Sequence, residues 1–342
     1  MTEQLDIRKS DHIKLAFDSQ ISPGDLDGRF YYEPVLSGHL DDNSIIPVNF
    51  GSKKMHYPIW ISSMTGGTNA AYIINTRLAE ICGKYRLGMG LGSCRPLLES
   101  RLRWADFNLR PTLGKDVPFF ANLGIAQVEE ILLNRNQSVI EDLICDLDAD
   151  GLIIHINPLQ ELLQPEGDRF KRSPLEVITE FLEKSSIPLI VKEVGQGFGP
   201  SSMRSLLKLP LLAVDFGSFG GTNFAKLEQL RNPAVESLRP LIYVGHTAKE
   251  MLKFVNDIFH QEPECIKTKH LIISGGIKSF LDGFFLINNS PIPSVYGQAS
   301  PFLKYASESL EALEDFVKIQ IKGLNVARAF LSPKPLTLNP ES

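Results

Sequence analysis

His155, Asn157, Gln160 and Glu161 place an imidazole, two amides and a carboxylate within seven residues of one another. Such a set can bind an anion, orient a small substrate and hold a hard cation, because it mixes donors, acceptors and one charged oxygen ligand. The four follow directly on Leu152, Ile153 and Ile154, a short apolar run of the kind that a strand buried on both faces requires, and Pro158 stops that strand from continuing. Taken alone, His and Asn at a strand end are equally ordinary capping or turn residues. What favours chemistry is that the same pattern recurs along the chain.

Lys192 sits among Leu189, Ile190, Val191 and Val194. Burying an ammonium there is costly unless it faces a partner, so we expect it at the mouth of a site, beside an anion or an electron-rich ring. An edge-strand lysine facing water is the alternative. Glu161 and Glu193 each read either as a metal ligand or as a helix or loop carboxylate. Arg8, Lys9 and His12 gather in residues 8–17, which could form a short helix, and a solvated basic turn explains them as well.

These groups need elements to hold them, and from Pro58 the chain has a rhythm. Short apolar runs at 59–63, 88–93, 119–124, 152–157, 189–194, 212–217, 271–276 and 295–299 alternate with stretches of helical spacing. Two such stretches are 126–134 and 174–184, the second with Ser173 as N-cap and Pro174 at the first helical position. Eight strands with helical connections predict an α/β fold, a (β/α)8 TIM barrel over residues 58–342. Residues 1–57, broken by Pro23, Gly24, Gly28, Pro34, Gly38 and Pro47, form an irregular N-terminal segment. A ninth run at 241–244 is assigned to an insertion ahead of a helix at 247–259. An open, doubly wound sheet would show the same alternation.

A barrel gathers the C-terminal ends of its strands on one face, and here those ends are polar or glycine-rich. They carry Met64-Thr65-Gly66-Gly67, Ser93-Cys94-Arg95, Asn122, His155 to Glu161, Lys192, Gly220-Gly221-Thr222, Ser274-Gly275-Gly276 and Gly297-Gln298-Ala299. Glycines at the seventh and eighth ends let backbone amides approach a phosphate closely.

Composition narrows the partners. In 342 residues, 43% hydrophobic and 22% charged residues supply a core and argue against extensive disorder. A net charge of −5 lacks the basic footprint of a nucleic-acid binder. Cys82, Cys94, Cys145 and Cys265 lack CxxC spacing, so neither a zinc site nor a disulfide framework is expected and a reducing cytoplasm fits. No run approaches the roughly 20 apolar residues of a membrane span, and the first residues lack a signal segment.

From Arg8 to about Phe302 the chain resembles type 2 isopentenyl diphosphate isomerases, the FMN-dependent form. The resemblance runs through Arg-Lys-Ser-Asp-His at 8–12, Met-Thr-Gly-Gly at 64–67, Gly-Leu-Gly-Ser-Cys-Arg at 90–95 and Ala-Asn-Leu-Gly at 121–124. It continues through His-Ile-Asn-Pro-Leu-Gln-Glu at 155–161, Val-Lys-Glu-Val-Gly at 191–195, Gly-Gly-Thr at 220–222 and Ser-Gly-Gly-Ile at 274–277. The N-terminal Arg-Lys pair combined with His-x-Asn-Pro-Leu-Gln-Glu is the specific part, since single motifs recur in other FMN barrels.

The resemblance implies a cytoplasmic homo-oligomer, tetramer or octamer, that binds FMN, Mg2+ and NADPH and interconverts isopentenyl and dimethylallyl diphosphate without net redox change. It assigns FMN to Met64, Thr65, Gly66, Ser93, Asn122, Lys192, Thr222, Gly275, Gly276, Gln298 and Ala299. The diphosphate falls to Arg8, Lys9, Ser93, Arg95, His155 and Asn157. Gln160 lies near the reacting carbon, Glu161 is on the metal, and Gln160, Lys192 and His155 form the catalytic set. The chain departs from the family pattern at Cys94, at Asn223-Phe224, at Val244 to Thr247 and at 284–296. An FMN oxidoreductase of the 2-hydroxy acid oxidase type would share the barrel, the lysine and the glycines, but needs a histidine base, for which His246 is the candidate. A barrel that senses FMN or a diphosphate is a third reading, opposed by intact Gln160 and Glu161.

Overall fold

Period-two alternation decides the architecture. The protein's structure, a computed structural model, describes residues 2–41, 44–63 and 66–336. Eight strands are β1 Ile59–Ile61, β2 Gly88–Gly90, β3 Phe119–Gly124, β4 Gly151–Ile156, β5 Leu189–Glu193, β6 Ala213–Asp215, β7 His270–Ser274 and β8 Ser294–Gln298. All are parallel, each pairs with the next, and β8 pairs with β1, so the sheet closes into a barrel. Closure excludes the open sheet. The run at 241–244 belongs to a 3-10 segment, Pro233–Tyr243, and not to a ninth strand.

Alternate side chains along each strand face opposite ways. Leu152, Ile154, Leu189, Val191, Leu271 and Ile273 point outward into the main core under the helices, while Ile153, Ile190 and Ile272 point into the barrel. There they join Trp60, Phe120, Ala213 and Val295 in an apolar interior layer. Gly88 is required beside this layer, because a Cβ there would lie 2.2 Å from the Trp60 ring. The N-terminal end of the barrel is plugged by an antiparallel hairpin, Val48–Phe50 with Lys53–Met55. Its Phe50 ring sits 4.9 Å from Trp60 and 6.2 Å from Phe120.

Helices cover the outside with legible caps. Pro174–Lys184 and Ala248–Gln261 both begin with capping boxes, Ser173 with Glu176 and Thr247 with Glu250. Phe30–Tyr32 pairs antiparallel with Leu331–Pro333, and Arg29 donates to Asp282 at 2.6 Å, so the N-terminal segment is tied across the last helices. Thr2–Leu15 is helical, and its described side chains from Asp6 onward are exposed. No helix among the described residues is long and apolar enough to cross a membrane.

Candidate active site

Two residues beyond the apolar interior layer, at the next inward position of each strand, the barrel becomes polar. Going round from β1, the positions are Ser62, Gly90, Asn122, His155, Lys192, Asp215, Ser274 and Gly297. Strand register makes His155, Lys192 and Asp215 neighbours on β4, β5 and β6. This layer is the floor of the C-terminal mouth.

On the β6, β7, β8 and β1 side the floor opens into a cavity of about 330 Å³, lined by Ser62, Ser63, Lys192, Gly217, Ser218, the glycine turn 220–221, Thr222, Phe224 and residues 274–278 and 297–301. Gly275 and Gly276 have φ of +86° and +72°, and a Cβ on Gly275 would meet Ser218 O at 2.1 Å. Only glycine fits that turn. Three buried polar atoms at this cavity, Ser62 Oγ, Ser63 Oγ and Gln298 Oε1, lack a hydrogen-bond partner. Gln298 Nε2 donates to Ile277 O at 3.0 Å, which holds the amide in place with its oxygen unpaired. Thr222 and Ser300 join hydroxyls at 2.7 Å across the rim. Orphaned polar atoms around a glycine cradle are what a bound polar ligand with its own donors leaves behind.

On the β3, β4 and β5 side the side chains form a network. Asn122 donates to Leu91 O at 2.9 Å, and its Oδ1 lies 2.9 Å from His155 Nδ1. Burial holds the His155 imidazole low, to about 4, and the nearby Lys192 ammonium adds to the shift. The ring is therefore neutral at neutral pH. Asn157, itself buried, donates to Glu161 Oε1 at 2.8 Å and to Gln160 Oε1 at 3.2 Å. Glu161 Oε2 accepts from the Asp168 backbone N–H at 2.7 Å. Asp168 in turn receives Arg95 Nη1 at 3.1 Å and Gln127 Nε2 at 2.9 Å. Arg95, Asn157, Gln160 and Glu161 thus belong to one continuous cluster, with Ser93 exposed beside it and its Oγ 3.4 Å from the Arg95 N–H.

Glu193 is accounted for differently. It faces away from the barrel interior, and its Oε2 accepts from the N–H groups of Gly195, Gln196 and Gly197 at 2.7, 2.6 and 2.8 Å. Its carboxylate shapes the loop after β5. Among the described residues no group of three or more His, Cys, Asp or Glu could hold a metal ion, so Glu161 offers a single carboxylate.

Of the expected site residues, Asn122, His155, Asn157, Gln160, Glu161, Lys192, Thr222, Gly275, Gly276, Gln298 and Ala299 are brought to the mouth. Met64 and Thr65 lie outside the described residues. Gly66 is packed so closely that a Cβ would lie 2.3 Å from the Phe107 ring, and Gly67 N–H donates to Asp106 at 3.1 Å. Arg8 and Lys9, exposed on Thr2–Leu15, are not brought together with the others. The residues that sequence reasoning missed are Ser62, Asp215 and Asp168. A count of two positions beyond each apolar inward residue would have found the first two.

No protein-family model matches the chain. A protein named isopentenyl-diphosphate delta-isomerase from Nostoc sp. is 36% identical over 327 residues, 93% of this chain and 89% of the relative. One of the same name from Rickettsia africae is 34% identical over 339 residues, 95% of this chain and 93% of the relative. The chain belongs to the isopentenyl-diphosphate delta-isomerase family.

Solved structures agree on the barrel. A flavocytochrome b2 variant with benzoylformate superposes with a TM-score of 0.60 at 13% identity, covering 89% of this chain and 76% of that one. A mandelate oxidase variant with a monooxide FMN adduct gives 0.52 at 9% identity, covering 90% and 88%. At such identities the likeness concerns the fold. Within the isomerase family, the departures of this chain are structurally quiet. Cys94 is fully buried, with burial pushing its thiol up to about 12. Asn223 caps the helix Phe224–Arg231 by accepting from Lys226 N–H at 2.9 Å, and Phe224 keeps an apolar wall on the cavity. His246 lies 5.3 Å from the Phe254 ring and is not among the cavity's lining residues.

Proposed function

We propose that the chain is a type 2 isomerase that binds FMN in the glycine-cradled cavity and interconverts isopentenyl and dimethylallyl diphosphate. The observation that carries this reading is the joining of Asn157, Gln160 and Glu161 to Arg95 in one network, beside His155 and Lys192 at neighbouring inward positions, in a chain of this family. Gly275, Gly276, Gln298, Ala299 and Thr222 would receive the cofactor's phosphate end, and the orphaned Ser62, Ser63 and Gln298 oxygens fit a ligand with N–H and O–H donors. Reduced FMN would supply the proton-exchanging group, with NADPH as the reductant that brings it to that state.

The chain's own residues do the rest. Arg95 exchanges Asp168 for the diphosphate and Ser93 donates to it, while Asn157, whose two amide hydrogens go to Glu161 and Gln160, reaches it only by releasing one of them. His155 meets the anion as a neutral ring whose one N–H is held by Asn122, and it donates from Nε2 only once the added negative charge favours its protonation. Glu161, one carboxylate backed by Asn157 and the Asp168 N–H, would hold Mg2+ together with phosphate oxygens, the ligand set that this ion prefers. Gln160 has its oxygen engaged by Asn157 and its amide nitrogen left to donate beside the hydrocarbon. Lys192, which lines the cavity, would supply positive charge to a flavin bound there. Arg8 and Lys9 would reach the diphosphate only if Thr2–Leu15 folds over the mouth. A cytoplasmic homo-oligomer is part of this proposal.

The oxidase reading lacks its base at the cavity, since His246 packs against Phe254. The two separate when FMN-loaded protein is mixed anaerobically with a 2-hydroxy acid. The isomerase reading expects an unchanged flavin spectrum, and rapid bleaching of the flavin band would overturn it.

A further inference from the structure

Asp215 is the one carboxylate in the ring of inward groups that floors the mouth, and it is fully buried. Its Oδ1 accepts from Ser274 Oγ on β7, whose hydroxyl also accepts the Gly217 N–H at 2.9 Å. Its Oδ2 is buried with no hydrogen-bond partner. The register neighbour on the other side is Lys192. That ammonium has three protons to donate, is nearly buried, and makes one described hydrogen bond, 2.6 Å to Glu193 O. An unsatisfied carboxylate oxygen and an under-used ammonium therefore occupy adjacent inward positions below the cavity. Each ion is costly to bury without the other.

We propose that Asp215 is the internal counter-ion of Lys192, a positioning residue that keeps the ammonium directed at the cavity floor. Ser274 on β7 holds one carboxylate oxygen and leaves the other free for Lys192 on the neighbouring strand. The other polar groups facing the pair are His155 on β4, neutral at neutral pH, and Asn122 on β3 beyond it. Glu193 faces outward and is taken up by its own loop. No second anion competes for Lys192 from inside the barrel among the described residues. Burial, the largest influence, holds the Asp215 carboxyl above its ordinary range, and Lys192, Ser274 and the Gly217 N–H oppose it only in part.

The role in tuning a flavin rests on the FMN reading, whereas the coupling itself does not, and the test has an arm for each. First, Asp215→Asn, Lys192→Met and the double variant are unfolded by urea as flavin-free protein. Each single change should lower the midpoint, and the double variant should recover most of the loss, because no ion is left stranded. Additive losses would overturn the proposal whatever the flavin does. If Asp215→Asn alone does not fold, recovery of the fold in the double variant is the expected result, and failure of both overturns it. Second, FMN-loaded Asp215→Asn is titrated for its midpoint potential. The potential should shift relative to wild type as the ammonium loses the anion that directs it; an unchanged potential would contradict the positioning role. Non-additive unfolding in protein that takes up no FMN would uphold the pair and count against the flavin reading instead.

Discussion

Asn122 Oδ1 faces His155 Nδ1 at 2.9 Å, and this contact sets the tautomer of the imidazole. The Asn122 amide nitrogen is already committed to Leu91 O, so the atom turned to the ring can only accept. Nδ1 therefore carries the proton, and Nε2 keeps the lone pair.

Removing that support should be measurable without substrate. In Asn122→Ala the Leu91 carbonyl and the His155 Nδ1–H both lose a buried partner, a loss of about 1–3 kcal/mol in unfolding free energy. Nitrogen chemical shifts of the His155 ring should change from one tautomer to a mixture. Retention of a single tautomer would show that another group orients the ring.

The neutral state of His155 has a consequence for stability. Its folded value is about 4 against an ordinary 6.5, so between those pH values the unfolded chain binds the extra proton. Stability from this group is fully present above about 6.5 and is lost as pH falls towards 4, by about 2–3 kcal/mol. Urea unfolding of wild type and His155→Gln across this window isolates the term, because other titrating groups are common to both. Parallel pH profiles would refute the assignment.

Glu161→Gln should raise the Mg2+ concentration required for half-maximal activity at least about tenfold while flavin content stays near wild type. Glu161 belongs to the Asn157 and Asp168 side of the mouth, and the glycine cradle lies on the other. A magnesium titration checks this, and an unchanged metal requirement would remove Glu161 from the metal site.

Gly275→Ala tests the cradle. Its φ of +86° and the 2.1 Å approach to Ser218 O leave no room for a methyl group, so the turn must shift. Flavin content after reconstitution should fall sharply, with a stability loss of about 2 kcal/mol or more. Full flavin occupancy in this variant would place the phosphate elsewhere.

Much of this was legible because buried strands leave an apolar run that ends where the chemistry starts, as at Leu152 to His155. Eight such runs predicted the barrel without separating it from an open sheet, which the pairing of β8 with β1 decides, and the helix starts at Ser173 and Thr247 were written in capping residues. Asp215 was hidden inside the run 212–217, because its meaning depends on Ser274, nearly 60 residues away, and on Lys192 across the sheet. Asp168 was silent for the same reason, since only the fold puts it between Arg95 and Glu161. His155 was expected among the groups that bind an anion, yet burial keeps its ring neutral, a property of its surroundings and not of its residue type. That Asn223, a departure from the family pattern, caps its helix by accepting the Lys226 N–H is visible only with the helix in place.

The central claim is that this mouth moves a proton from one end of a three-carbon unit to the other with no net electron flow. The most direct measurement reduces the FMN-loaded protein anaerobically, adds isopentenyl diphosphate and Mg2+ in deuterated water, and follows product and flavin spectrum together. Many equivalents of deuterium-labelled dimethylallyl diphosphate per flavin, formed while the flavin stays reduced, are the predicted result. Reoxidation of the flavin in step with product, or no allylic product at all, would contradict it.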